Sequence, residues 1–382
     1  MEEKKKIIKC LAYYDTLDST DKRVNNLAAY TKFTYVFDCL ERLGYKVEIL
    51  SASYNVGKKS IKGSTRKLSD NVTLRTLDSM GRGCKVKNAL GQLLFYRRLY
   101  KAVDSFVEEG DTLLVYHSLG YLDILKRLKR KKDFKLVLEI EEIYGHVTGS
   151  EKTIRKETDF FGYADGYIFS NYLLNKSFNR GSKPYAVSHG AYKSFDYSSQ
   201  GFDDNKIHIV YAGTFDPRKG GAYTAISSAG FLSENYHLHI LGFGTEEQTI
   251  AVLNRISDVN KIGKCKVTYD GCLSGEEYFS FLRKCHIGLS TQTPQGRYND
   301  SSFPSKVLVY IANGLRVVSV RIPAIETSDI NDYIYYYNED IPESVADAIK
   351  QIDVMSPYNG KEVIDNLDAK FFDDLLGLLT QL

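Results

Sequence analysis

A large charge of one sign is absent from the sequence, in which 51 lysines and arginines face 48 aspartates and glutamates. This balance gives no reason to expect binding to nucleic acid, so electrostatic partners must be sought in local clusters. No run of about 18 consecutive apolar residues occurs, so we predict no membrane-spanning helix. Residues 1–6 are charged and lead directly into an apolar run. This start is unlike a signal peptide, and we expect a cytoplasmic protein.

The cysteines also lack the spacings of metal sites and redox motifs. No CxxC pair occurs, and we predict no metal site from the cysteine and histidine spacing. Several cysteines stand in apolar runs, and we expect reduced, buried thiols. The six are at positions 10, 39, 84, 265, 272 and 285.

Short apolar runs alternate with amphipathic stretches along the whole chain, which is typical of an α/β protein. The apolar runs show no polar alternation, which predicts parallel strands buried on both faces. Polar residues 194–206 read as a linker, after which the pattern restarts. We predict two Rossmann-like, doubly wound domains, residues 1–198 and 199–382, with the last helix packing back on the first domain.

Three segments of the second domain have the pattern of a phosphate site. Residues 210–221 (VYAGTFDPRKGG) place glycines and Lys219 between a strand and a helix, where backbone amides suit an anion. A plain turn with solvated basic residues is the alternative. Residues 241–246 (LGFGTE) form a second glycine turn. In residues 300–319, Ser302 is predicted to cap a helix with Pro304 in its first turn, and Lys306 is either a ligand or a surface lysine.

These segments resemble a known family. FPSKVLVYIANGLRVVS, from residue 303, looks like the signature of the family 4 glycosyltransferases (glycosyl transferases group 1), and YAGTFDPRKGG resembles their donor-phosphate loop. The resemblance implies a GT-B fold, two Rossmann-like domains facing across a cleft. It also implies a UDP- or GDP-sugar donor as co-substrate, no other cofactor, no metal and retention of anomeric configuration. It assigns donor binding to Gly213, Thr214, Arg218, Lys219, Gly242, Gly244, Ser301, Ser302, Pro304, Ser305 and Lys306.

The sequence departs from this family at two positions where the family carries glutamates that contact the donor. Ser301 and Val309 stand there instead, and Thr214 replaces the usual arginine of the donor loop. These departures motivate an alternative to catalysis, a degenerate GT-B protein that binds sugar nucleotides or acts as a scaffold. An oxidoreductase is not expected, because no GxGxxG follows the first strand.

The catalytic candidates of the first domain follow predicted strands. Glu141 or Glu142 stands where the family often places a histidine, and a carboxylate there could orient a sugar hydroxyl or accept its proton. A solvated acidic turn is the alternative. His117 ends the preceding strand and is either catalytic or a satisfied structural histidine.

Residues 126–132 form a basic stretch beside an apolar line at Tyr121, Leu125 and Leu128. Two interpretations stand: a solvated helix face, or peripheral contact of residues 121–132 with an anionic membrane, at its inner face. The sequence thus predicts a metal-independent hexosyltransferase. It would move a sugar to a hydroxyl of a glycan or lipid-linked acceptor in surface polysaccharide synthesis.

Overall fold

The computed structural model describes residues 6–195, 201–294, 299 and 302–382, apart from the side chains of Val147 and Lys219. The chain divides into two compact units. Unit 1 comprises Met1–Ala191 and Phe371–Leu382, and unit 2 comprises Tyr192–Lys370.

Unit 1 is built on an eight-stranded sheet in the order β3-β4-β2-β1-β5-β6-β7-β8. All neighbouring strands are parallel except β3, which runs antiparallel to β4. The strands are β1 Ile7–Ala12, β2 Lys46–Ser51, β3 Thr65–Lys67, β4 Val72–Arg75, β5 Thr112–Tyr116, β6 Lys135–Ile140, β7 Gly166–Phe169 and β8 Tyr185–Val187. The helices are α1 Leu27–Arg42, α2 Lys85–Phe106, α3 Leu122–Lys131, α4 Tyr144–Thr148, α5 Glu151–Phe161 and α6 Tyr172–Phe178.

Unit 2 is built on a six-stranded, wholly parallel sheet in the order β11-β10-β9-β12-β13-β14. The strands are β9 Ile207–Thr214, β10 Tyr236–Phe243, β11 Lys266–Tyr269, β12 Ile287–Ser290, β13 Arg316–Val320 and β14 Ile334–Tyr337. The helices are α7 Gly221–Ser228, α8 Glu246–Ile262, α9 Gly275–Leu282, α10 Lys306–Ala312, α11 Pro323–Glu326, α12 Pro342–Lys350 and α13 Gly360–Thr380, the last of which continues into unit 1.

Both sheets reverse their winding at one strand. In unit 1 that strand is β1, between β2 and β5, and in unit 2 it is β9, between β10 and β12. The central strands are buried along almost their whole length, as the unbroken apolar runs predict. Ligands of such sheets bind beyond the carboxyl ends of the strands at the reversal, which directs attention to the end of β9.

Two predictions of local structure are wrong. Helix α10 begins at Lys306 with Ser305 at the N-cap, so Ser302 does not cap it and Pro304 precedes it. Because Pro304 lacks an N–H and lies before the cap, it ends the loop and does not form the first turn. Four of the six free cysteines are buried as predicted, but Cys84 and Cys272 are exposed.

The structure also distinguishes the two interpretations of the basic helix α3. Tyr121, Leu125 and Leu128 are buried in the core of unit 1 and leave no apolar face for a membrane. Lys129 pairs with Asp165 at 2.8 Å. The solvated-face interpretation therefore fits α3. No helix in the described ranges is both long and apolar enough to span a bilayer.

Candidate functional site

At the carboxyl end of β9, Gly213 lies next to the side-chain ammonium group of Lys306. A Cβ built on Gly213 would lie 3.0 Å from Nζ of Lys306 and 3.0 Å from the hydroxyl of Tyr211. Nζ of Lys306 also lies 4.3 Å from the centre of the Tyr211 ring. The first residue of α10 thus places its positive charge at the strand where the sheet reverses, beside the half-buried Gly213, whose lack of a side chain leaves room for it.

The loop after β9 is shaped by Asp216. Its carboxylate accepts the backbone N–H of Arg218 at 3.0 Å and caps the short 3-10 helix Pro217–Lys219. The same carboxylate pairs with the largely exposed Arg218 guanidinium, with 2.7 Å between Nη2 and Oδ2. The charge of Arg218 is therefore engaged within the loop. Thr214 is the exposed last residue of β9, and the side chain of Lys219 lies outside the description.

Two further glycines let this loop approach the end of β12. Gly220 has φ +67°, and a Cβ there would lie 2.5 Å from Oγ1 of Thr293. A Cβ on Gly221 would lie 2.7 Å from the Tyr211 hydroxyl, and the Thr291 hydroxyl donates to the Gly221 carbonyl at 2.7 Å. The two glycines are thus required by close packing.

Local packing explains why residues 242 and 244 are glycines. Gly242 has φ +146° and pairs with Gly213 across β9 and β10, where a Cβ would overlap the Gly213 carbonyl. A Cβ on Gly244 would lie 2.7 Å from Oε1 of Gln248, which closes the capping box of α8 with Thr245. Their predicted position near a nucleotide stays a prediction.

The remaining donor candidates lie around the start of α10. Ser305 is exposed and Ser302 and Pro304 are half-buried, whereas Ser301 lies outside the described residues. Val309 is half-buried on α10, one turn after Lys306, so the two side chains share a face of the helix.

In unit 1 the buried Lys32 and Glu139 form a cluster with the half-buried Glu141 at the end of β6. Nζ of Lys32 lies 3.1 Å from Oε1 of Glu141 and 4.0 Å from Oε1 of Glu139, and it donates to the Ser188 carbonyl. Burial and the charge of Glu141 raise the pKa of Glu139 well above its usual range. Burial acts to raise the pKa of Glu141, but the Lys32 ammonium and the hydrogen bond with Glu139 together outweigh burial and lower that pKa. At neutral pH the pair therefore combines one protonated acid with one carboxylate.

His189 completes this cluster from the end of β8. It is buried, and its Nδ1 lies 2.8 Å from the Ser170 carbonyl, so Nδ1 carries the proton. Of these residues the sequence predicts only Glu141 as a candidate, and Lys32, Glu139 and His189 become apparent only in the fold. One signal was present: Lys32 stands in the apolar stripe of α1, between the buried Ala29 and Phe33.

His117 has a structural role. Its Nε2 lies 2.7 Å from Oε1 of Glu157, and both side chains are buried. Glu157 also accepts the backbone N–H groups of Tyr144 and Gly145, at 3.0 and 3.1 Å. This network fixes the start of α4, so of the two interpretations of His117 the structural one fits. Glu142 is half-buried beside this segment.

A cavity of about 250 Å³ opens in unit 1 between the ends of β1, β2 and β4 and helix α2. Its walls combine aromatic rings with polar and basic groups, Tyr13, Tyr54, Phe95, Tyr96, Arg82, Lys87, Asn88 and Gln92 among them. The Tyr13 and Tyr54 rings meet edge to face at 6.4 Å, and Arg82 lies 6.0 Å above the Tyr54 ring. Burial raises the pKa of Tyr13 to about 12, so its hydroxyl keeps its proton at neutral pH. Such a surface can stack on a sugar ring and pair with an anionic group.

Neither the Gly213–Lys306 region nor the Glu139–Glu141 cluster gathers three metal-ligating side chains among the residues described. Among the described residues, the one group of three metal-ligating side chains lies elsewhere in unit 2, at His208, His237 and His239.

No protein-family model and no curated protein matches the chain. Solved structures match it over nearly its whole length. Sucrose-phosphate synthase from Thermosynechococcus elongatus is 14% identical with a TM-score of 0.70, and the match covers 98% of this chain and 97% of that one. The chain has the GT-B fold.

Two further GT-B structures match with ligands bound. A trehalose-6-phosphate structure from E. coli, bound with UDP-2-fluoro glucose, is 11% identical with a TM-score of 0.65, covering 96% of this chain and 95% of that one. The Anabaena protein HepE in complex with UDP is 12% identical with a TM-score of 0.61, covering 98% of each chain. The predicted fold class is confirmed, whereas the donor-binding and catalytic residues stay predictions.

Proposed function

We propose that this GT-B protein is a glycosyltransferase that moves a sugar from a UDP- or GDP-sugar to an acceptor hydroxyl. The observation that carries the proposal is the Lys306 ammonium beside Gly213, at the strand where the sheet of unit 2 reverses. A nucleotide diphosphate needs this combination of fixed positive charge and accessible backbone. The ligands of the E. coli and Anabaena structures support UDP as the nucleotide.

On the donor side, the leaving diphosphate gains one negative charge as the bond between the anomeric carbon and the phosphate oxygen breaks. Lys306 would stabilise this charge, with the backbone N–H groups of Lys219 and Gly221 and the Lys219 charge that the family resemblance implies. A charge fixed in place before the reaction costs no reorganisation when the bond breaks. The proposed reaction therefore uses no metal, and the resemblance implies that it retains the anomeric configuration.

On the acceptor side, the Lys32–Glu139–Glu141 cluster would bind the attacking hydroxyl. The Glu141 carboxylate accepts a hydrogen bond from that hydroxyl, and Lys32 holds the carboxylate in its charged form. We assign the body of the acceptor to the cavity of Tyr13 and Tyr54, with an anionic group near Arg82 and Lys87. A phosphorylated or lipid-diphosphate-linked glycan in surface polysaccharide synthesis has this chemistry. The cysteine pattern favours a cytoplasmic reaction.

Calorimetric titration with UDP and GDP tests the donor site. Lys306→Met should weaken UDP binding by about tenfold or more, because one charge-assisted contact to phosphate is lost. Lys350→Met is the matched control, since Lys350 is an exposed lysine of unit 2 paired with Asp347 on α12. UDP affinity that is the same in the Lys306 variant and the wild type would remove the basis of the proposal.

A second candidate is a sugar-nucleotide-binding protein without catalysis. Val309 favours it, because an apolar side chain one turn after Lys306 cannot accept a hydrogen bond from a ribose hydroxyl. The two candidates separate when UDP release from UDP-sugars is measured across a panel of glycan and sugar-phosphate acceptors. Binding of UDP without any turnover identifies the second.

A further inference from the structure

Three buried histidines converge on one face of the sheet of unit 2. His208 lies on β9, directly opposite His237 on β10, and His239 lies two residues further along β10. Side chains two residues apart on a strand share a face, so His237 and His239 both lie beside His208. One ring nitrogen of each histidine lies within 4.8 Å of the other two. The cluster is distinct from the donor site, because His208 precedes Gly213 by about 17 Å of strand.

Hydrogen bonds fix which nitrogen of each ring carries the proton. Nε2 of His208 lies 2.7 Å from the Asp204 carboxylate, and Nδ1 of His239 lies 3.1 Å from that of Asp270. A carboxylate only accepts, so both of these nitrogens carry hydrogen. The Thr268 hydroxyl donates to Asp270 at 2.8 Å and can only accept from Nε2 of His237, 3.1 Å away. Each neutral ring therefore keeps one bare nitrogen.

Two of these bare nitrogens face each other. Nδ1 of His208 lies 2.8 Å from Nε2 of His239. Two lone pairs at that distance repel, so a positive centre must lie between them. A proton would join two rings only, whereas here a third ring, that of His237, lies with its centre 4.1 Å from that of His239 and 5.3 Å from that of His208.

We propose that His208, His237 and His239 bind a divalent transition metal ion, Zn²⁺ in the first place. Zinc–nitrogen bonds of about 2.0–2.1 Å at tetrahedral angles separate two ligand nitrogens by about 3.3 Å, so the His208–His239 pair needs to open by only about 0.5 Å. Asp204 and Asp270 hold the opposite ring nitrogens, which is the arrangement that orients histidine ligands on zinc. A water molecule would complete the coordination.

The ion would have a structural role. Besides joining β9 to β10, it would hold the start of unit 2 against the sheet, because Asp204 bonds His208 and the Phe202 ring stacks on the His208 and His239 rings at 4.1 and 5.0 Å. Metal binding that favours only the folded state raises the thermal stability of that state. We therefore expect the melting temperature of unit 2 to rise with zinc.

The test uses the full chain, stripped with a chelator and reloaded. The wild type should bind one Zn²⁺ per chain by elemental analysis, give the visible absorption bands of tetrahedral Co²⁺ and melt at a higher temperature with zinc. His239→Gln should lose at least 100-fold in zinc affinity, measured by competition with a chromophoric chelator. His146→Gln, a histidine of unit 1, is the control and should bind as the wild type does.

His237→Gln provides a second variant if His239→Gln does not fold, and it should lose zinc binding in the same way. UDP titration of each variant separates this proposal from the transferase, because the cluster is remote from Lys306 and UDP affinity should not change. A wild type that takes up less than stoichiometric zinc overturns the proposal. So does zinc affinity that is equal in the wild type and both cluster variants.

Discussion

Lys32 lies 3.1 Å from the carboxylate of Glu141 and 4.0 Å from that of Glu139, so one buried cation faces two acids. Replacing the lysine and replacing a glutamate should change the stability of unit 1 by different amounts. Loss of Lys32 leaves negative charge without compensation, whereas a glutamine in place of one glutamate keeps the shape of the side chain and reduces the negative charge.

Lys32→Met should therefore destabilise unit 1 by about 3–5 kcal/mol, the usual cost of leaving a buried charge unpaired. The double variant Lys32→Met with Glu141→Gln should recover part of this loss, because the charge that Lys32 compensated has also gone. Urea unfolding followed by circular dichroism measures both. A double variant less stable than the single one would contradict the pairing.

The raised pKa of Glu139 makes the stability of the protein depend on pH. The folded state holds this proton more tightly than the unfolded chain, so the contribution is full below about pH 4, the ordinary range of a glutamate, and is lost as pH rises towards the folded pKa. Glu139→Gln should remove this loss and raise the melting temperature more at pH 8 than at pH 5. Glu108→Gln, at an exposed glutamate of the same unit, should leave the pH dependence unchanged.

Glu141→Gln should reduce the proposed glycosyl transfer by about 10²-fold or more, the usual contribution of a positioned acid or base. UDP affinity should stay as in the wild type, since Glu141 belongs to the acceptor side of the proposal. The measurement is the rate of UDP release with a saturating acceptor. A variant with unchanged rate would leave Glu141 as a structural partner of Lys32.

Gly213→Ala should weaken UDP binding by about tenfold, because the new methyl group would lie 3.0 Å from Nζ of Lys306 and displace it. Gly230→Ala is the matched control, since a Cβ there meets nothing within 4 Å. Calorimetry on both variants decides the point. Equal losses in the two would indicate a general effect on folding.

Arg82→Gln should raise the KM for a phosphorylated acceptor and leave UDP binding unchanged, because Arg82 lines the aromatic cavity of unit 1. Arg97→Gln, at an exposed arginine of α2 outside the cavity, should behave as the wild type. An acceptor KM that does not respond to Arg82→Gln would place the acceptor elsewhere.

The fold could be predicted from the sequence because its central strands are buried on both faces and read as unbroken apolar runs. The aromatic cavity could not, because most of its lining comes from residues 54–99, where β3, β4 and α2 gave no clear pattern. Helix α2 exposes Val86, Leu90 and Leu93, which obscures the apolar face that it buries at Phe95 and Leu99. The aromatic and basic lining of the cavity forms only when the ends of β1 and β2 and helix α2 come together in the fold.

The candidate site was predictable to the extent that it is local in sequence. The glycines after β9 and the lysine of α10 stand at strand ends, where ligands of parallel sheets bind. The residues of the Lys32–Glu141 pair stand far apart in the sequence and meet only in the fold. The same holds for His208 and the other two histidines. His237 and His239 have a strand spacing, and their partner His208 stands on another strand, so a search for helix or loop spacings overlooks them.

The outermost strands of both sheets have a consequence for handling the protein at high concentration. In unit 1 they are β3 and β8, three residues each, and in unit 2 β11 and β14, four residues each. Rows of unpaired backbone groups this short offer little template for a strand of another molecule, and Arg66 ties β3 down to Asp15. Ordered fibrils growing from the native state are therefore not expected, and any aggregation should begin with opened chains.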